Sequence, residues 1–236
     1  MNINNYKIID LTHTIDEKIP TWGGKNEFNK VIVSDYDNHG FRVMHYNMVA
    51  SIGTHIDAPS HCFAKGLNVD DIPIDKLIAN ACVINVSQKC INLPDYKISV
   101  DDIKNYEEQY GKITQKNIVL GCTGWSKRWQ NTELYRNQEK NSEFWKMHFP
   151  TFSSEAADLL LEKNIIGIGI DTFSPDNFFS DWAVHKKFLG NGKYILENLN
   201  NLDQLDPVNS LIIALPLKIY QSSEAPTRII GLVQKK

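Results

Sequence analysis

The stretch Ser51-Ile-Gly-Thr-His-Ile-Asp-Ala-Pro-Ser-His61 carries two histidines and an aspartate at a spacing that can bring their side chains together. Side chains two residues apart on a β-strand share a face of the sheet. A strand through this stretch would therefore point four residues to one side: Ser51, Gly53, His55 and Asp57. Pro59 would end the strand, and the chain can then turn back and place His61 beside the same face.

Imidazole nitrogens and a carboxylate oxygen in such an arrangement suit a borderline divalent cation such as zinc or manganese. Gly53 has no side chain and leaves room for an ion or a substrate. A hydrogen-bonded edge of the protein core can have the same composition, so the spacing alone leaves both interpretations open.

The C-terminal half of the chain supplies further candidate ligands. Glu197 interrupts the apolar run at 194–196, and His185 lies in a predicted short helix. Asp171 ends another apolar run, which is a usual place for a functional group on a strand. We expect Asp171 instead to cap or form the turn at 172–176.

Length and composition limit the class of protein. The 236 residues, of which 42% are hydrophobic and 22% charged, suit one domain over 1–236 with a substantial core. A net charge of −3 favours neither nucleic acid nor an anionic membrane as a partner. The sequence shows no signal-peptide pattern and no apolar run that could span a bilayer. The four cysteines form no CxxC pair, which indicates reduced thiols in a cytoplasmic protein.

Predicted strands outnumber predicted helices along the chain. Strand patterns occur at 6–11, 31–36, 41–49, 81–86, 118–122, 165–171, 194–199, 211–220 and 227–233. Helical patterns occur at 100–110, 153–163 and 182–189. Ser99 can cap the first of them, and Ser153 or Ser154 can cap the second. Because helices are interspersed among the strands, the sequence predicts a mixed α/β fold with helices packed on a curved, barrel-like sheet.

The motif resembles the signature H-x-G-T-H-x-D-x-P-x-H of the cyclase family of metal-dependent hydrolases, which includes kynurenine formamidases and isatin hydrolases. Every fixed position of the signature except the first is present between Ser51 and His61. Other segments resemble the family as well: 10–13, 148–150, 155–157, 167–172, His185, 197–199 and 223–228. The resemblance therefore covers nearly the whole chain.

This resemblance implies a β/β/α fold of the swivelling-domain type, assembled as a homodimer or homotetramer with a neighbouring subunit near the active site. It implies a zinc- or manganese-dependent hydrolase that cleaves the C–N bond of a small amide, formamide or cyclic amide with a metal-activated water. His55 and Asp57 would be ligands at one metal position. Asp57 would bridge to a second position, which has three further ligands: His61, His185 and Glu197. His61 and Glu197 would also be the catalytic residues.

Ser51 stands where the family signature has its first histidine. A serine hydroxyl is a poor ligand for zinc, so we expect the position beside His55 to bind a cation weakly or not at all. Ser51 and Trp22 are the expected substrate-binding residues, and Trp22 would present an aromatic ring from an irregular loop. Two alternatives stay open: a lactone or ester hydrolase that uses the same site, and a non-catalytic protein that binds a metal or a ligand.

Overall fold

The computed structural model describes residues 2–143 and 146–235, and within these ranges the chain forms twelve β-strands and six α-helices. The strands are β1 (Tyr6–Asp10), β2 (Phe28–Ser34), β3 (Val43–Met48), β4 (His55–Asp57), β5 (Ile78–Asn85), β6 (Lys97–Ile98), β7 (Asn117–Cys122), β8 (Thr151–Phe152), β9 (Gly167–Ile170), β10 (Tyr194–Glu197), β11 (Ser210–Pro216) and β12 (Glu224–Gln234). The helices are α1 (Tyr36–His39), α2 (Ser87–Cys90), α3 (Val100–Tyr110), α4 (Thr132–Arg136), α5 (Ser154–Glu162) and α6 (Ala183–Gly190).

The main sheet closes into a barrel. Among the described strands, seven form a ring in the order β4-β12-β11-β5-β7-β9-β10, and β10 pairs with β4 again. The pairs within β5-β7-β9-β10 are parallel and the other pairs of the ring are antiparallel. β1 adds to the outer edge of β12, while β2 and β3 form a separate hairpin. The predicted mixed α/β fold with a barrel-like sheet is confirmed.

Alternate residues of the ring strands fill the barrel with an apolar cluster that includes Ile56, Leu120 and Leu196. The strand β9 points two glycines to this side, because its isoleucines belong to the cluster on the outer face. A Cβ at Gly169 would lie 2.7 Å from Leu199 Cδ1, and one at Gly167 would lie 2.5 Å from the Tyr194 carbonyl oxygen. The absence of side chains at Gly167 and Gly169 therefore permits this close packing.

Helices α3, α5 and α6 cover the outer face of the barrel over a second apolar cluster. Ser99 and Asp102 form a reciprocal capping box at the start of α3, with the Ser99 hydroxyl accepting from the Asp102 amide. The Ser153 hydroxyl accepts from the Ala156 amide at the start of α5. These caps confirm the two longer predicted helices. In the described part of the chain, no helix has the length and apolar composition that crossing a bilayer requires.

The predicted strand through Ser51 is wrong in its extent. β4 begins only at His55, because Gly53 has a φ of +65° and turns the backbone before the strand starts. The Thr54 hydroxyl donates to the Asn198 carbonyl oxygen at 2.6 Å and fixes the turn. Ser51 therefore precedes the strand and does not share a strand face with His55. The predicted strand at 211–220 is also too long, since β11 ends at Pro216.

His13 supports this turn from the other side. Its backbone amide donates to the Thr54 hydroxyl at 3.0 Å, and its ring stacks on Trp129 with ring centroids 4.0 Å apart. Burial lowers the pKa of His13 to about 4, although the charge of Asp10 opposes the shift. The folded protein therefore favours the neutral imidazole.

The unfolded chain binds a proton on His13 at a higher pH than the folded chain does. Stability should therefore fall as pH decreases from the unfolded pKa near 6.5 to the folded pKa of about 4, by about 3 kcal/mol in total. His13→Phe keeps a ring on Trp129 and cannot be protonated, so it should remove this part of the pH dependence. Urea denaturation across the window measures it, with the exposed His39→Phe as the control variant. Equal pH slopes in the wild type and His13→Phe would contradict the interpretation.

Candidate metal centre

A cavity of about 490 Å³ lies against the outer face of the barrel at β4, β10 and β12. Ionisable side chains form one wall: His55, Asp57, His61, His185, Glu197 and Glu224. Aromatic side chains from loops form another part of the lining: Trp22, Phe173 and Trp182. The cavity thus combines a polar wall built on strands and α6 with an apolar wall that a flat ring can contact.

Strand pairing places the polar side chains on one face. β4 lies between β10 and β12, and in this register Glu197 is directly opposite His55 while Glu224 is directly opposite Asp57. Directly opposite residues of antiparallel strands project to the same side. Ile56, between His55 and Asp57, points to the other side and fills the barrel. The closure of the barrel therefore assembles these side chains.

Two carboxylates are shared between two imidazoles. His55 Nε2 lies 3.4 Å from Asp57 Oδ1 and 3.2 Å from Glu197 Oε2. His185 Nε2 lies 3.5 Å from Asp57 Oδ2 and 3.3 Å from Glu197 Oε1. Each carboxylate thus directs one oxygen to each histidine, and the arrangement has two halves, which we call the His55 side and the His185 side.

Asp57 Oδ1 and Glu197 Oε1 are buried without a hydrogen bond. Leaving a buried carboxylate oxygen unsatisfied is costly, and a cation removes that cost. Two groups of ligand atoms have all their members within 4.8 Å of one another: His55, Asp57 and Glu224, and Asp57, His185 and Glu197. This set of nitrogen and oxygen donors fits a divalent cation.

Hydrogen bonds behind both imidazoles direct their Nε2 atoms into the centre. His55 Nδ1 lies 2.9 Å from the Gly53 carbonyl oxygen, and His185 Nδ1 lies 2.9 Å from Asp176 Oδ2. Because both partners are acceptors, Nδ1 carries the hydrogen in each ring and Nε2 is free to bind a metal. Asp176 also accepts from the backbone amides of Val184 and His185, which fixes the start of α6.

Opposite charges control the protonation of the centre. Burial alone would lower the pKa of His55, but Asp57 and Glu197 raise it well above its usual value. Burial would also lower the pKa of His185, but Asp176, Asp57 and Glu197 raise it well above its usual value. Burial would raise the pKa of Asp57, yet the two imidazoles hold it below its usual value. A divalent cation can replace the imidazole protons as the partner of these carboxylates.

The predicted ligand His61 lies at the edge of the centre. Its Nδ1 is 3.3 Å from Glu224 Oε2, its side chain is 34% exposed, and its ring centroid is 5.9 Å from that of His185. His61 belongs to neither group of closely spaced ligand atoms. Ser51 lines the cavity from the turn before β4.

Trp22 and Trp182 lie next to each other in the cavity lining, with ring centroids 5.6 Å apart and ring planes tilted by 48°. Trp125 and Trp129 are instead buried in a core cluster. Asp171 accepts from the Thr123 amide and hydroxyl and from the Gly124 amide. Its role is therefore structural, as expected, although it fixes the turn after β7 and not the one at 172–176.

Sequence reasoning missed two carboxylates. Asp176 orients His185 from a loop nine positions earlier, and no common ligand spacing indicates it. Glu224 lies in the segment 223–228 that resembles the family, but its position opposite Asp57 depends on a pairing between distant strands.

Residues 9–177 match the family model described as putative cyclase. The chain belongs to the cyclase family. It is similar to an isatin hydrolase of Roseibium aggregatum, with 30% identity over 89% of this chain and 82% of that protein. It is also similar to a kynurenine formamidase of Bacillus cytotoxicus, with 28% identity over 94% of this chain and 95% of that protein.

The solved structure of isatin hydrolase A from Ralstonia solanacearum superposes on this cyclase with a TM-score of 0.90 and 30% identity, covering 98% of this chain and 93% of that one. The predicted family, fold and reaction class are therefore confirmed. The protein is a hydrolase of this family.

Asp176→Asn tests the support of His185. The amide loses the negative charge that holds the Nδ1 hydrogen, so metal affinity should fall by about 10- to 100-fold. Competition with a chromogenic chelator for Mn²⁺ or Zn²⁺ measures the affinity. Asp158→Asn is the matched control, because Asp158 pairs with Lys187 of the same helix on its exposed side. Equal affinities in both variants would show that Asp176 only caps the helix.

Proposed function

We propose that this cyclase hydrolyses the C–N bond of a small amide attached to or part of an aromatic ring, such as the cyclic amide of isatin or the formamide of N-formylkynurenine. The observation that carries the proposal is the pair of buried carboxylates shared between two imidazoles, in a cavity that aromatic side chains also line. The names of its relatives support these substrates.

We further propose zinc or manganese as the resident metal. On the His185 side the ligands are Asp57, His185 and Glu197, and on the His55 side Asp57 is shared with His55. When bound, the cation polarises the substrate carbonyl and lowers the pKa of a water molecule. Asp176 and the Gly53 carbonyl hold the two imidazoles in place for this purpose.

His61 is proposed to carry the proton to the leaving nitrogen. The hydrogen bond with Glu224 raises the pKa of His61, although burial opposes the shift, so the protonated form is available as an acid. Because His61 Nδ1 faces Glu224, His61 Nε2 lies on the other side of the ring, away from Glu224. Glu197 is proposed both to bind the metal and to accept a proton.

The loop wall is proposed to bind the substrate ring. Trp22 and Trp182 present their rings to the cavity, and Ser51 offers a hydroxyl that can hold a water molecule or a polar substrate group. The apolar character of this wall favours a flat aromatic amide over a charged or extended one.

Two variants separate metal binding from proton transfer. Glu197→Gln should lose both the metal and hydrolysis, whereas His61→Ala should keep the metal and lose turnover by about 100-fold or more. Metal analysis and assays on isatin, N-formylkynurenine, a lactone and an ester measure both properties. Glu27→Gln, from the rim of the same cavity, is the control. Near-native turnover in Glu197→Gln would place the site elsewhere, and activity on the lactone or ester alone would favour the alternative hydrolase.

A homo-oligomer assembled through the hairpin β2–β3 is also proposed. This hairpin exposes apolar side chains on both faces, among them Val31, Ile32 and Val33 with exposed fractions of 60%, 52% and 59%. Its base contributes Glu27 and Val49 to the cavity rim, so a second copy packed on the hairpin would lie close to the site. The free thiols of the chain support the proposed cytoplasmic location.

The double variant Val31→Glu/Val33→Glu should dissociate this assembly, because it buries two carboxylates in the proposed interface. Light scattering coupled to size-exclusion chromatography gives the mass. Ile8→Glu, which alters an equally exposed isoleucine on β1, should leave the mass unchanged. A monomeric wild type would overturn the proposal.

A further inference from the structure

The His55 side lacks one ligand relative to the family signature. Ser51 takes the place of the first histidine, and it lies in the turn before β4. A hydroxyl is a weak donor to zinc or manganese compared with an imidazole. Without another donor, this side offers only His55 and one oxygen from each shared carboxylate.

Glu224 is placed to supply that donor. It is directly opposite Asp57 in the pairing of β12 with β4, and its side chain is 18% exposed. A Glu224 oxygen, His55 Nε2 or Nδ1, and an Asp57 oxygen lie within 4.8 Å of one another. Next to it, the Ala58 amide donates to the Ser223 carbonyl oxygen at 2.8 Å and holds the start of β12 against the end of β4.

The unsatisfied oxygen of Asp57 points to this same place. Asp57 Oδ1 is buried, accepts no hydrogen bond, and is the oxygen on the His55 side. A third carboxylate beside it would raise the repulsion between negative charges, unless a cation lies between them. The juxtaposition of Asp57, Glu224 and His55 therefore fits a cation that takes the place of the imidazole protons.

We propose that Glu224 is a metal ligand on the His55 side and replaces the donor that Ser51 does not provide. This inference rests on the proposed function and adds a second cation to it, bound by His55, Asp57 and Glu224. Since a carboxylate replaces an imidazole, the donors on this side are mainly oxygen, which favours manganese over zinc. Glu224 has two oxygens, so one can bind the cation while Oε2 stays near His61.

The experiment counts Mn²⁺ per chain. Protein stripped with a chelator is titrated with Mn²⁺, and the free ion is measured by its electron paramagnetic resonance signal. The wild type should bind two Mn²⁺, and Glu224→Gln should bind one tightly, with the second weakened by about tenfold or more. Glu27→Gln removes a carboxylate from the rim of the same cavity and should still bind two.

A rescue variant tests the replacement directly. Ser51→His in the Glu224→Gln background should restore the second Mn²⁺, because it returns the imidazole of the family signature. If Glu224→Gln does not fold, Glu224→Asp keeps the charge on a shorter side chain and should weaken the second ion while the first is unchanged. Coupling between two bound Mn²⁺ ions would appear in the resonance spectrum of the wild type and not in that of Glu224→Gln.

Other outcomes overturn the proposal in distinguishable ways. Two Mn²⁺ in Glu224→Gln, or one in the wild type with an affinity that Glu224→Gln leaves unchanged, would show that Glu224 serves only as the partner of His61. Wild-type protein that binds neither Mn²⁺ nor Zn²⁺ would instead remove the metal centre of the proposed function itself.

Discussion

The pairing of β4 with β10 and β12 brings together strands that are far apart in the sequence. Three residues, His55–Asp57, bond to β10 on one side and β12 on the other, and this double pairing closes the barrel. Ile56 fills the interior while the residues on either side of it face the cavity. A shift of the register by one residue would turn Ile56 outward and two ionisable side chains into the core, so closure and chemistry are specified together.

The two halves of the centre are chemically unequal. The imidazole on the His185 side is backed by the buried carboxylate of Asp176, whereas the one on the His55 side is backed by a backbone carbonyl. A carboxylate behind an imidazole makes it a stronger donor than a carbonyl does. The His185 side thus has an electron-rich nitrogen on a helix, and the His55 side has a nitrogen on a strand next to Ser51.

Local patterns were sufficient to predict much of the fold. The serines that precede or open the helical patterns located α3 and α5. The spacing of His55 and Asp57 indicated a shared face, because side chains two residues apart on a strand point to the same side of the sheet. The predicted start of β4 was wrong, because Gly53 adopts a left-handed backbone conformation. The alternation of polar and apolar residues does not reveal such a conformation.

Contacts between segments that are distant in the sequence could not be predicted from local sequence patterns. Glu224 lies opposite Asp57 only because β12 pairs with β4, which is distant in the sequence. Asp176 reaches His185 from a loop. His61 is a predicted ligand by resemblance, and the short 3-10 turn at Pro59–His61 places it beside Glu224, a neighbour that the resemblance does not indicate. Each of these relations depends on tertiary packing, which a single sequence read alone does not contain.

The origin of the two cavity walls has an evolutionary consequence. The wall that would hold the metal is built on hydrogen-bonded strands and α6, while the aromatic wall comes from the loops that carry Trp22, Phe173 and Trp182. Loops accept substitutions and insertions more readily than paired strands do. Selection for new substrates can therefore remodel the aromatic wall while the barrel, its closure strand and its ligands are inherited unchanged.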